Sequence, residues 1–98
     1  MASVNQRILK TLARKYIWWQ SPDEAIAHPQ RIMAQVMNIG DYTDVQTLVA
    51  YVDADTLRDV LEHAQAGQFN ARSWAYWHYR LDLSLLEQVP LLPVRRFV

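Results

Sequence analysis

The chain of 98 residues contains no cysteine, only two glycines and only four prolines. The absence of cysteine excludes disulfide bonds and thiol chemistry. Two glycines are too few for the glycine-rich phosphate loops of nucleotide-binding proteins or the G-x-S-x-G turn of hydrolases. With 51% hydrophobic residues and little glycine or proline, disorder is not expected over most of the length. The composition predicts a single domain, residues 1–98, with one core.

The sequence also lacks long hydrophobic runs. None of its apolar stretches is long enough to cross a bilayer, and no signal-peptide pattern opens the chain. We therefore expect a cytoplasmic protein that makes no use of a membrane.

Charge is balanced overall but unevenly distributed. Residues 1–20 carry a net charge of +4, residues 21–70 carry −6, and residues 71–98 carry +2. This distribution would suit a dipolar surface with a basic face built from both ends. It is also typical of ion pairing within one chain, and we favour that interpretation.

Apolar residues recur at helical spacing in segment after segment, and no segment shows sustained alternation. The pattern predicts a basic amphipathic helix within residues 1–17, a helical core over 21–83 and an extended tail over 89–98 that contains Pro90 and Pro93. The predicted fold is all-α: a compact bundle of five to six short helices with an extended, proline-containing C-terminal tail.

Helix starts are marked by residues that suit the N-cap position. Ser21, Asp53 and Asn70 are such residues, and either Thr43 or Asp41 begins the helix after Gly40.

Two further expectations concern helix ends and a linker. We expect Gly40 and Gly67 to end helices, with Gly40 free to adopt the left-handed conformation. The segment "IWWQ" at residues 17–20 is expected to be an extended linker that buries Trp18 or Trp19.

The stretch "SWAYWHYRL" at residues 73–81 concentrates aromatic residues. On a helical wheel, four of its side chains fall on one arc, which predicts a core-facing stripe. These are Trp74, Trp77, His78 and Leu81. The opposite arc carries Arg72, Tyr76, Tyr79 and Arg80 and is expected to face outward.

Two interpretations of the outer arc remain open. Tyrosine and arginine are enriched at binding hot spots, so the arc could be a partner-binding face. Alternatively, the tyrosines lie against a neighbouring element, with the arginines stacked on them. In the first interpretation, Arg95, Arg96 and Phe97 of the tail would add a second contact.

No catalytic, cofactor-binding or metal-binding pattern is present. His28, His63 and His78 lack the spacing of a metal site, and the acidic middle of the chain lacks the inner ligands and central glycine of a calcium loop. We therefore expect a non-catalytic protein without cofactor or metal.

A helix-turn-helix interpretation finds little support. The helices near 30–39 and 44–52 are joined by a short turn, but the second carries no Lys or Arg. Any DNA binding would need the basic N-terminal helix and the tail, so binding of nucleic acid by this chain alone is not expected.

The segments "RIMAQVMNIG" at 31–40 and "RSWAYWHYRL" at 72–81, with "PLLPVRRF" in the tail, resemble a family of small prokaryotic all-helical proteins. Members are encoded beside nucleotidyltransferase toxins of the AbiEii type, and the resemblance extends from about Leu12 to Phe97. It implies a toxin–antitoxin or phage-defence operon, in which this chain is the candidate antitoxin and the toxin its protein partner. Where the family tail has a Pro-Pro-Leu-Pro-like sequence, this chain has Pro90-Leu91-Leu92-Pro93.

Three functions follow as hypotheses. The first is a protein-binding antitoxin or accessory partner of that toxin. The alternative is a DNA-binding transcriptional accessory factor that uses the basic N-terminal helix and the C-terminal tail. The third is a structural subunit that forms a homodimer through the N-terminal helix.

Overall fold

Six helices follow one another in the described part of the chain, and the third lies at the centre of the bundle. The computed structural model describes residues 6–83 and 89–93, and no strand occurs within these ranges. The helices are α1 (Gln6–Tyr16), α2 (Pro22–Ala25), α3 (Pro29–Ile39), α4 (Tyr42–Tyr51), α5 (Ala54–Glu62) and α6 (Ala71–Arg80). The radius of gyration is 13.4 Å, close to the value of about 13 Å for a compact domain of this length. The all-α prediction is confirmed.

Helix α3 packs against each of the other five helices. Its residues Ile32 and Val36 are fully buried, with Met33 and Met37 beside them. Burial of each such side chain contributes about 1.5–3 kcal/mol. This central position explains why α3 contributes five buried residues to the core, more than any other described helix.

N-caps begin α2, α4, α5 and α6 at predicted residues. In each case a side-chain oxygen accepts a hydrogen bond from the amide three residues later, at 2.8–3.2 Å. The caps are Ser21, Asp41, Asp53 and Asn70. Of the two residues considered for α4, Asp41 is the cap, and Thr43 lies inside the first turn.

Gly40 ends α3 as predicted, but its conformation is not the predicted one, and Gly67 does not end a helix. Gly40 follows α3 in an extended conformation (φ −63°, ψ 145°), not a left-handed one. A Cβ at this position would collide with the carbonyl oxygen of Val36, so glycine is required by close approach. Gly67 does have a positive φ of 86°, but it lies in the turn beyond α5, which already ends at Glu62.

The linker after α1 also differs from expectation. Residues 17–20 form a turn, and Ile17 is the residue buried there. Trp18 and Trp19 remain 76% and 58% exposed. The expectation that one of these tryptophans enters the core is wrong, because Ile17 continues the buried stripe of α1 at helical spacing from Ala13.

Candidate partner-binding surface

Helix α6 is anchored by its aromatic stripe. Trp74, Trp77, His78 and Leu81 are all at least 94% buried, as the wheel predicts. The indole nitrogen of Trp77 donates to the carbonyl oxygen of Met37 at 2.7 Å. Nδ1 of His78 lies 2.8 Å from the carbonyl oxygen of Trp74. A carbonyl oxygen can only accept, so Nδ1 carries the proton and His78 is a satisfied core residue.

The opposite arc of α6 faces outward. Tyr76 and Tyr79 are 51% and 60% exposed, Arg72 is exposed, and Arg80 is half-buried. Within the described residues the tyrosines are therefore not covered by a neighbouring element. The prediction that this arc of α6 faces outward is therefore confirmed for both tyrosines and Arg72.

Arg80 is held in place by its own helix. Its guanidinium donates to the Tyr76 hydroxyl at 2.9 Å and lies 5.2 Å from the centre of the Trp77 ring. Arg80 therefore stacks on aromatic rings of its own helix, as one of the two interpretations of the outer arc expected. Tyr76 nevertheless stays exposed instead of lying against a neighbouring element. A guanidinium held in this way has lost side-chain freedom before any ligand binds.

Beside Tyr76 runs a surface groove of about 240 Å³ between α6, the end of α3 and the start of α4. We call it the α6 groove. Its walls are Tyr76 and Arg80 on one side and Tyr42 and Gln46 on the other, and Trp77 contributes to its lining. Tyr42 is 80% exposed. Two tyrosines and an arginine along one groove form an arrangement typical of protein-binding surfaces.

Tyr42 and Gln46 were not predicted from the sequence. Both lie on α4, at least 25 residues before α6, and local spacing does not reveal which helices meet. The available signal was the position of Tyr42 at the edge of the Val45–Val52 stripe, where a large amphipathic residue marks a boundary between core and solvent.

Asn38 fixes the geometry of this groove. Its side-chain oxygen accepts from the amide of Asn70 at 2.9 Å, and its main-chain oxygen accepts from the Ser73 hydroxyl at 2.8 Å. Both bonds attach the start of α6 to the end of α3. The groove is therefore formed before any partner arrives.

The charges in and around the groove are nearly balanced. Among the described residues that line it, Arg80 is the only charged one. The nearby acids Asp41 and Asp44 both bind Lys15, at 2.8 Å and 2.7 Å. The hydrogen bond from Lys15 holds the pKa of Asp41 below its usual range. Lys15 offsets one of these two negative charges, so a net charge of −1 is left on Lys15, Asp41 and Asp44 together.

Ion pairs also occupy part of the basic N-terminal helix. Lys10 binds Asp23 at 2.8 Å, and Lys15 binds the pair of aspartates on α4. Lys10 and Lys15 are thus paired within the chain, as the favoured interpretation of the charge pattern predicts. Their engagement weakens the case for this helix as a DNA-binding surface.

Residues 89–93 of the tail lie against the helical body. Val89 and Leu92 pack against the core, and the Pro90 carbonyl oxygen accepts from the Trp74 indole at 2.7 Å. The tail therefore passes along α6 on the side of Trp74. The remaining predicted contacts, Arg95, Arg96 and Phe97, lie outside the described residues.

Within residues 6–83 and 89–93, no group of three or more His, Cys, Asp or Glu residues is placed to hold a metal ion. In those ranges no helix is both long enough and apolar enough to cross a bilayer. Comparisons with protein-family models, with curated proteins and with solved structures found no match to this chain.

Proposed function

We propose that this protein acts by binding another protein and has no catalytic activity of its own. The observation that carries the proposal is the α6 groove, where exposed Tyr76 and Tyr42 and half-buried Arg80 lie on anchored helices. Large, rigid aromatic side chains beside an arginine give contact area and directed hydrogen bonds at low entropic cost.

Following the resemblance, we further propose that the partner is the nucleotidyltransferase-type toxin encoded beside it, and that this protein is the antitoxin, acting in the cytoplasm. Such enzymes hold their metal ions with carboxylates, which present an acidic patch at the active site. Arg80 and Arg72 would face that patch, and the Arg95–Arg96 segment of the tail would extend the contact. Covering the patch would block access of nucleotide or substrate.

Co-purification with the neighbouring gene product tests this proposal. The variant carrying Tyr76→Ala and Arg80→Ala should stay folded by circular dichroism and lose the partner. The matched control carries Tyr51→Ala and Arg14→Ala, which removes an exposed tyrosine and an exposed arginine elsewhere on the surface. The control should retain the partner.

Growth measurements test the antitoxin role itself. Expression of the neighbouring gene alone should arrest growth, and co-expression of this protein should restore it, except with the Tyr76/Arg80 variant. If both double variants retain the partner, the α6 groove is not the binding surface. A salt-sensitive, sequence-selective shift of the operon's promoter by this protein alone would support the DNA-binding alternative instead.

A further inference from the structure

Two adjacent tryptophans stand on the surface between α1 and α2. Trp18 and Trp19 are 76% and 58% exposed, and their rings meet edge to face with centroids 5.7 Å apart. Tryptophan is mostly buried in folded proteins, and an exposed pair is typical of a binding surface. The proposed function makes no use of them.

The turn that carries the pair is held by main-chain hydrogen bonds. The amide of Ile17 donates to Ala13 at 2.8 Å, and the amide of Gln20 donates to Ile17 at 3.1 Å. Ile17 is buried beneath the turn, and Ser21 caps the helix that follows. Trp18 and Trp19 are therefore presented on a formed backbone.

A groove of about 360 Å³ begins at Trp19. We call it the Trp19 groove. It runs between the turn, one face of α3 and the loop between α5 and α6. Its lining comprises Ile17, Trp19, Gln20, Arg31, Ala34, Gln35 and residues 66–68, and it shares none of them with the α6 groove.

The far wall of the Trp19 groove is fixed by a reciprocal amide pair. Gln30 donates to the side-chain oxygen of Gln68 at 2.9 Å, and Gln68 donates to that of Gln30 at 3.0 Å. Gln68 also accepts from the amide of Gln65 at 2.9 Å. These bonds attach the α5–α6 loop to α3, so the groove does not depend on a ligand to form.

The polar groups of the Trp19 groove select the chemistry of its occupant. Arg31 is exposed and is the only charged residue among the described residues of the lining. The side-chain amides of Gln20 and Gln35 make no hydrogen bond within the part of the chain that the structure describes. The guanidinium of Arg31 suits a carboxylate. The side-chain amides of Gln20 and Gln35, which line the same groove, suit the main-chain groups of an extended peptide.

We propose that the Trp19 groove binds a short extended peptide that carries an apolar side chain next to an aspartate or glutamate. The apolar side chain packs on Trp19 and Trp18, the carboxylate binds Arg31, and the peptide main chain bonds to Gln20 and Gln35. The protein would thereby hold a second partner segment, separate from the one at the α6 groove.

The exposed area and the charge of the groove favour a peptide over a second copy of this chain or a single-stranded nucleic acid. An indole side chain presents on the order of 200 Å², so the exposed parts of Trp18 and Trp19 amount to roughly 300 Å² in each chain. Two copies that met through the tryptophans alone would bury roughly 600 Å², about half of the 1,200 Å² or so that a specific dimer buries in total. Single-stranded nucleic acid needs a row of cations along its backbone, and this groove offers Arg31 alone.

Selection from a phage-displayed library of random linear peptides, using the whole protein as bait, tests the proposal. Enriched sequences should place an aliphatic or aromatic residue next to Asp or Glu. Binding of a selected, fluorescein-labelled peptide should weaken at least about tenfold in Trp19→Ala, as for other hot-spot aromatics. Arg31→Glu should shift the enriched sequences from acidic to basic residues.

The controls separate this proposal from the proposed function. Tyr51→Ala, which removes an exposed aromatic elsewhere, and the Tyr76/Arg80 double variant should both bind the selected peptide normally. Trp19→Ala should still co-purify with the neighbouring gene product.

The absence of enriched peptides would overturn the peptide proposal. So would equal binding by Trp19→Ala, an unchanged charge preference in Arg31→Glu, or binding of a single-stranded oligonucleotide at this groove. A concentration-dependent dimer in sedimentation that Trp18→Ala with Trp19→Ala abolishes would also overturn it and assign the surface to self-association.

Discussion

The indole nitrogen of Trp77 donates a hydrogen bond to the carbonyl oxygen of Met37, 2.7 Å away and 40 residues earlier in the sequence. Carbonyls in the last turn of a helix have no partner within that helix. In α3, the carbonyl of Met37 is satisfied by Trp77, and that of Asn38 by the hydroxyl of Ser73. Helix α6 thus caps α3 with its side chains, which joins the core to the candidate binding face.

Substitution of neighbouring aromatics on α6 should separate the core from the surface. Trp77→Ala removes a fully buried ring and should cost about 3–5 kcal/mol of unfolding free energy. Tyr76→Ala removes an exposed ring that contacts Trp77 edge to face and should cost only about 1 kcal/mol. Urea unfolding measures both, and equal losses would contradict the assignment of the two faces.

The two glycines should respond differently to asparagine. At Gly67, with φ of 86°, alanine is strained, and asparagine should recover part of the lost stability because it tolerates this region. At Gly40 the obstacle is the Val36 carbonyl in the path of any Cβ, so alanine and asparagine should both destabilise by about 1–3 kcal/mol. The melting temperatures of the four variants, with alanine or asparagine at each glycine, test both expectations. Recovery by asparagine at Gly40 would contradict the steric explanation.

The Lys15–Asp41 contact should make stability depend on pH at both ends of the range. The pKa of Asp41 is lowered, chiefly by its hydrogen bond from Lys15, so its contribution is present above about pH 4 and lost as pH falls through the folded pKa. The pKa of Lys15 is raised above its usual range, mainly by hydrogen bonds to Asp41 and Asp44. That contribution is present below about pH 10 and lost as pH rises through the folded pKa.

Asp41→Asn keeps a good cap and removes the charge, so it should flatten the acidic limb of a plot of melting temperature against pH. Asp59→Asn, which removes an acid that has no ion pair in the described residues, serves as the control. An acidic limb that is the same for Asp41→Asn and the unaltered protein would refute the assignment.

The hydrogen bond from Trp74 to the Pro90 carbonyl should hold the described part of the tail against α6. Trp74→Phe keeps an aromatic ring and loses the donor. Limited proteolysis with an enzyme that cleaves at leucine should then cut the tail near Leu91 and Leu92 faster than in the unaltered protein. Tyr79→Phe, on the exposed face, should leave the cleavage rate unchanged. An unchanged rate in Trp74→Phe would show that this bond does not restrain the tail.

Much of the fold could be predicted because it depends on interactions between residues close in sequence. The caps at Ser21, Asp53 and Asn70 each bond three residues ahead, a distance at which residue type alone is informative. The division of α6 into a tryptophan face and a tyrosine face follows from its 3.6-residue period in the same way. The candidate site could be predicted to the same extent, through Tyr76, Tyr79 and Arg80.

What the sequence by itself determined is therefore the set of helices, their starts and their inward faces, since these depend on local geometry. Only the tertiary structure decided that Tyr42 faces Tyr76 across a groove, that Ile17 is buried while Trp18 and Trp19 are exposed, and that Gly40 is needed for close approach. Each of these depends on the direction in which one helix leaves another. That direction is set by packing between residues distant in the chain, such as Trp77 against Met37, which no local pattern encodes.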